Sequence, residues 1–435
     1  MKQRRFGRRA LTALIALLGL GSGYAGAGGF TIYEIGTADV GLATAGYGAR
    51  AEDASTVMTN PAGMTRLEGT QVLLGAQAAY GDIRLSLGEV APDRAAGGGD
   101  GGNAAGWAPG GGLFISHSVS PGLKVGLAAG SNFGGVAKFN DDWAGRYYVQ
   151  ESALIGISLL PSVAYRVNNS LSLGASLNLM YGSYKNKVAV NNIAPGFGDG
   201  ELKLEDKKWG YGVNLGLLYE LDSATRFGLT YNSQIDLDFT AQAQFSGIAP
   251  GLSAVLAARG LQNANVNIGI KVPQGVMGSV FHQMNERWAV LGSVGWQQWS
   301  RFGKMDVGVE SSNPTSLTTN LNFKDTWHAA IGAQYRPGGA WLYGFGVAYD
   351  SKFQDSSNIP PAFPANDAWR FGVGAQKQSS KSFSWGVAAE YLYGGSLNVN
   401  QHSIVPVALG GRGDLTGSFE HTAVYFLSAN WAWKF

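Results

Sequence analysis

Residues 421–435, HTAVYFLSANWAWKF, decide the fold. Ala423, Tyr425, Leu427, Ala429, Trp431, Trp433 and Phe435 fall on one side of a period-two pattern, with Thr422, Ser428, Asn430 and Lys434 on the other. This is a strand with one apolar and one mostly polar face. The pattern repeats along the chain, and strands that turn aromatic and aliphatic groups to lipid and small or polar groups to a lumen build a transmembrane barrel. The sequence therefore predicts an all-β protein of a Gram-negative outer membrane. Outer-membrane lipid and lipopolysaccharide are its expected surroundings, and the strand ending at Phe435 is its expected handle for the barrel-assembly machinery.

The start of the chain agrees. Lys2, Arg4, Arg5, Arg8 and Arg9 precede an apolar run over 10–20 and the small residues Ala25-Gly26-Ala27, which reads as a cleaved secretory signal over 1–27. The apolar run is about half of the roughly 20 residues a spanning helix needs. A GxGxxG match at Gly21, Gly23 and Gly26 falls inside this segment with no strand before it, so it carries no nucleotide-binding meaning.

Composition narrows the classes further. Charged residues are 14% and glycines number 65, against about 25% and 7% in an average soluble domain; small lumen-facing residues and turns account for both. The absence of cysteine removes disulfides, thiolate metal sites and cysteine nucleophiles. A net charge of +2 without a basic stripe argues against nucleic acid. The five histidines lack metal spacing, the acid pairs Asp141-Asp142 and Glu205-Asp206 read as solvated loop charges, and no cofactor is expected.

Alternation places fourteen strands, near 70–84, 109–120, 121–133, 151–167, 171–188, 206–220, 224–239, 264–282, 288–302, 320–336, 341–353, 368–377, 382–397 and 417–435. Trp209 and Tyr219 bracket one outward face; ten steps of about 3.3 Å at a tilt of about 40° separate them by about 25 Å, the height of an outer-membrane apolar band. Tight turns such as 167–170, 221–224 and 336–339 alternate with long polar or Gly/Pro-rich segments such as 85–108, 189–205, 240–263 and 354–367. The short turns belong in the periplasm and the long loops outside. Residues 28–69 show no sustained alternation and either hang in the periplasm or fold into the lumen.

Within that segment Asp53-Ala54-Ser55-Thr56 and Asn60-Pro61-Ala62-Gly63-Met64 closely resemble the N-terminal hatch of FadL-type outer-membrane transporters. DDWAGRYY at 141–148, LLPSVAYRVNNSLSLGASLN from 159, WGYGVNLGLLYEL from 209, FKDTWHAAIGAQYR from 323 and the terminal strand extend the resemblance over nearly the whole mature chain. It implies a monomeric fourteen-stranded barrel over 70–435, plugged by a hatch over 28–69, that takes up long-chain fatty acids or other hydrophobic compounds passively. It also implies binding between the third and fourth outer loops, here 189–205 and 240–263, gating by a hatch that includes Asn60, Pro61 and Ala62, and sideways exit beside a kink in the third strand. Phe30 is carried over as a residue near the inner pocket.

Several site residues can be named. Gly126, Gly130, Gly134 and Gly135 are the kink candidates, since glycines in a strand permit bulges; the bland reading is that lumen-facing glycine is common here. Phe245, Leu252 and Leu256, with Ile248, Val255 and Leu261, are apolar residues outside any expected strand, spaced for a short amphipathic helix. Lys185, Lys187, Lys324 and Arg146 could meet a fatty-acid carboxylate, although a solvated rim or a structural ion pair is the preferred reading of each. Two rivals stand beside the transporter: a general diffusion porin, and a barrel lipase built on Ser116-His117-Ser118, which sits at a short-turn end unsuited to catalysis. Fatty acid is preferred over aromatic hydrocarbon as substrate because lysines are available.

Overall fold

The computed structural model describes residues 31–89, 97–312, 315–355 and 357–435; the signal segment and Phe30 lie outside them. Fourteen antiparallel strands pair in chain order and close where the first (Thr70–Asp82) meets the last (Leu415–Lys434), with Gln71 opposite Lys434 and Tyr80 opposite Tyr425. Between them run Gly106–Ser118, Leu123–Lys138, Glu151–Arg166, Leu171–Val190, Gly200–Glu220, Thr225–Asn232, Gly275–Gln283, Trp288–Gln297, Thr326–Tyr335, Trp341–Asp350, Ala368–Ser380 and Phe383–Gln401, the second to thirteenth barrel strands. Closure leaves no free sheet edge, the condition for a sheet to live in lipid. Tyr211 and Ile331, 65% and 70% exposed, belong to the apolar outer face that the alternation foretold.

The structure corrects three of the expected strands. Segment 224–239 breaks after Asn232 and 264–282 breaks at Pro273, and the detached halves, Ile235–Gln242 and Asn265–Val272, pair with each other. With Lys304–Glu310 and Thr315–Asn320 they form a separate four-stranded sheet. The expected strand 288–302 likewise stops at Gln297 and continues as the helical turn Trp299–Phe302. Alternation failed here because it reports a buried face whatever that face packs on; Ile235, Leu237 and Phe239 keep the period while folding back onto Gly182 and Gly210 of the wall. Phe245, expected outside any strand, pairs with Leu202 in a three-residue strand, and the expected loop helix forms at Pro250–Ala258 with no buried residue.

Residues 31–69 run inside the barrel as the helices Thr37–Gly41 and Thr56–Thr59 and the 3-10 turn Pro61–Arg66. Asn60 caps that turn, accepting from Ala62 N at 3.1 Å, while its Nδ2 donates to Gly48 O at 2.6 Å and Leu217 O at 3.1 Å. Wall glycines allow this close approach. Gly174 and Gly216 lie opposite each other in the fifth and sixth strands, and a Cβ on Gly174 would stand 2.3 Å from Ala62 N. On the far wall a Cβ on Gly372 would stand 2.3 Å from Val40 O. The glycine excess is therefore largely a lumen surface shaved flat for a plug, with ion pairs Arg66–Glu220 and Arg336–Glu52 at the periplasmic rim.

Gly174→Leu is expected to leave a heat-modifiable barrel while exposing residues 31–69 to protease added from the periplasmic side; continued protection would contradict the docking surface. Asn60→Ala removes three hydrogen bonds of about 1 kcal/mol each. Amide exchange of the hatch should then rise roughly a hundredfold with barrel exchange unchanged; unchanged hatch exchange would mean Asn60 does not hold it.

Candidate functional site

Between the second and third strands the pairing of the wall stops although both strands run on. The second and third strands pair from Ser118–Lys124 up to Gly112–Gly130 and stop, while the second strand from Gly106 to Gly111 keeps its partners in the first. Above the gap, Lys138 N donates to Ala104 O at 2.7 Å. Between these two seals no ladder pairs residues 105–111 with 131–137; this unladdered stretch of wall is termed the window below.

A bulge opens it. The third strand slips register against the fourth between Ser131, opposite Ile157, and Phe133, opposite Gly156, so Asn132 is an extra residue. One inserted residue bends a strand and flips the facing of every later side chain in it. Val125 and Leu127 point outward, whereas Phe133 and Ala137, also odd, are buried inside. The bulge falls between two of the four candidate glycines, Gly130 and Gly134, the second with a φ of 147°. Gly126 is regularly paired with Ser116 and Ser162, and its missing Cβ leaves room for Met64 of the plug. Gly130 is the last paired residue below the window, and Gly134 and Gly135 come after the bulge in register with the fourth strand.

Phe133 enters an apolar cluster that fills the outer half of the lumen. Trp299 stacks over it with centroids 6.3 Å apart, Phe302 lies 5.1 Å from Trp299, and Phe323 meets Phe353 edge-on at 4.9 Å. Leu154 and Met180 come from the wall, and Leu237, Phe239 and Ile270 from the folded-back sheet. Beneath it a polar cavity of about 60 Å³ is lined by Tyr33, Tyr47, Asn132, Asn214 and Asn232. The end of the plug touches the bulge directly: Ile32 N donates to Asn132 O at 3.1 Å and Thr31 bridges Phe133.

The sequence candidates fall unevenly around this site. Lys185 pairs with Glu151 at 2.7 Å, Lys187 with Glu201 at 2.9 Å and Asp141 at 3.0 Å, and Arg146 with Asp199 at 2.5 Å, all on the outer rim. Lys324 is exposed, directly after Phe323, and its backbone N donates to Phe353 O at 2.7 Å. Leu252 and Leu256 are half-buried on the helix Pro250–Ala258. Phe133, Trp299, Phe302, Phe323 and Phe353 were missed by sequence reasoning. The parity slip of Phe133 after Leu127 was the available signal for the first; Trp299 and Phe302 lie in a helical turn and Phe323 and Phe353 just outside strands, at the ends of segments that alternation read as strand. Ser116 and His117 point to opposite faces of the second strand, one buried and one exposed, so they make no dyad.

Comparison with known proteins matches this geometry to a family. Residues 18–435 fit the profile described as outer membrane protein transport protein (OMPP1/FadL/TodX). The long-chain fatty acid transport protein of Escherichia coli strain K12 is 27% identical over 430 residues, spanning 91% of this chain and 94% of that one. Outer membrane protein P1 of Haemophilus influenzae strain Rd is 27% identical, spanning 88% and 89%. In fold, a crystal structure of a Pseudomonas aeruginosa FadL homologue superposes with a TM-score of 0.81 at 22% identity, covering 93% of this chain and 99% of that one. The toluene transporter TodX of Pseudomonas putida gives 0.68 at 18% identity, covering 92% and 98%. A plugged fourteen-stranded barrel with an apolar inner cluster beside a breach in its wall thus has its place among known proteins: the chain belongs to the OMPP1/FadL/TodX family of outer-membrane transport proteins.

Proposed function

We propose that this protein carries long-chain fatty acids across the outer membrane by passive diffusion, binding them first at the outer loops, then in the Phe133 cluster, and releasing them sideways through the window. The observation that carries the reading is the unpaired stretch between residues 105–111 and 131–137, which adjoins the cluster through Phe133. Each buried methylene is worth about 0.8 kcal/mol, so a long acyl chain is retained by an apolar cluster and by the bilayer but not by a wet pore. Sideways exit lets it pass from one to the other. Residues 31–69 occupy the lumen, which disfavours the diffusion-porin alternative. Asn60, Pro61 and Ala62 would hold the plug while its leading end moves off Asn132.

With Lys185, Lys187 and Arg146 engaged in ion pairs, Lys324 is the candidate cation for a carboxylate at the outer edge of the cluster. The names of the relatives 27% identical to this chain support a fatty acid. A second reading, aromatic hydrocarbons, is favoured by the ring-rich lining of Phe133, Trp299, Phe302, Phe323 and Phe353, since offset and edge-on ring contacts add about 0.5–1.5 kcal/mol per pair.

Deleting Asn132 tests the route. The deletion restores register with the fourth strand while keeping Phe133 inward, so pairing with the second strand should extend past Gly130. Oleate binding by the purified protein is expected to persist and cellular uptake to fall to background; full uptake by a variant whose crystal structure shows a closed wall would remove the sideways route. Lys324→Ala sorts the substrates. It should weaken oleate about tenfold, the scale of one charge-assisted contact, and leave toluene binding unchanged; equal effects on both would dismiss Lys324 as a carboxylate site.

A further inference from the structure

The leading segment of the plug, residues 31–35, is held at two separate places. One is the bulge, through Ile32 N and Thr31 as described. The other lies on a distant part of the wall, where four consecutive barrel strands, the tenth to the thirteenth, each turn one ionisable side chain into the lumen: His328, Asp350, Arg370 and Glu390. All four are at most 3% exposed.

These groups form one connected cluster. Arg370 donates from Nε to Asp350 at 2.6 Å and from a terminal nitrogen to Glu390 at 3.2 Å, and it is ion-paired with Glu34 of the plug. His328 Nδ1 lies 2.8 Å from Asp350, and its Nε2 lies 2.6 Å from Thr44 Oγ1, a second plug residue. Tyr33 packs on the His328 ring with centroids 4.7 Å apart and stands 5.6 Å from the Arg370 guanidinium. Gln77 Nε2 donates to Glu34 O at 2.5 Å, fixing the backbone between the two attachments. Residues 31–35 therefore span the lumen as a tie between the third strand and the tenth to thirteenth strands.

We propose that the Arg370 cluster is the anchor of this tie: by holding Glu34 it positions Thr31 and Ile32 against Asn132 and Phe133, and so keeps the plug across the inner side of the window. The cluster is asymmetric. Glu34 is the carboxylate supplied by the moving part, whereas Asp350 and Glu390 belong to the wall and can neutralise Arg370 without it. A buried ion pair is costly to break when one charge is left uncompensated; here the wall can shed Glu34 without stranding its guanidinium. Arg370 and Glu34 are thus positioning residues whose separation frees the leading segment while the barrel stays intact. Their consequence for transport depends on the sideways route proposed above, and the test keeps the two apart.

The chain has no cysteine, so Thr31→Cys gives a unique label at the half-buried bridge to Phe133. In that background Glu34→Ala should speed maleimide labelling at least tenfold, with heat-modifiable mobility of the barrel unchanged, and Glu34→Asp should restore most of the protection. Arg66→Gln, which cuts the ion pair to Glu220 at the periplasmic rim, should leave the rate as it was. If Glu34→Ala does not fold, Glu34→Gln removes the charge at nearly constant volume and should give the same direction. Unchanged labelling in a folded Glu34 variant, or an equal rise with Arg66→Gln, overturns the anchor. Faster labelling with increased oleate uptake supports both anchor and route; faster labelling with unaltered uptake supports the anchor and counts against sideways release.

Discussion

A strand that crosses a bilayer has no water to satisfy its backbone, so every N–H and C=O in the wall needs a neighbouring strand. The strands of this barrel pair in chain order to closure, but the seam between the second and third strands stops above Gly130 although both strands run on. Everything distinctive about the molecule gathers at that interruption. The bulge at Asn132 creates it, the hydrogen bond from Lys138 to Ala104 limits it, and the end of the plug supplies one of the missing partners from inside. A defect that lipid would otherwise penalise is kept because the chain brings its own cover.

The cover needs a lumen it can dock to. Small residues do this at the wall, where Gly174 and Gly216 lie level beneath Asn60 and Pro61, and buried polar contacts fix the register of the plug on them. The lower half of the barrel is thus filled by backbone and short side chains, and the upper half by rings around Phe133. The apolar cluster above, the unladdered stretch of wall beside it and the plug below are the three parts on which the proposed route to lipid rests.

Much of this was legible in the sequence, and the limits have physical causes. Strand period and aromatic spacing are local properties that survive in one dimension, so barrel and strand count could be read directly. The NPAG run carried the plug through resemblance, because its own period is irregular. The bulge falls at Asn132, between the candidate glycines Gly130 and Gly134, and left a trace of its own: the parity of Val125 and Leu127 fails at Phe133. The folded-back sheet left none, since Ile235, Leu237 and Phe239 alternate as they would in the wall. The anchor at Arg370 was invisible because its four wall members are spread over 63 residues, from 328 to 390 counted inclusively, and only the barrel's register brings them level. Lysines near loop ends looked available for a ligand, but sequence does not show that an acid stands opposite on the next strand.

On the proposed route substrate leaves through the wall and not through the floor. Photo-crosslinking in intact cells with a diazirine-bearing fatty acid, read by mass spectrometry of the purified barrel, locates the path directly. Adducts on residues 105–111 and 131–137, with none on Glu52, Arg226 or Arg336 at the periplasmic mouth, are the predicted result. Adducts at that mouth during uptake, with the window residues unmodified, would contradict it.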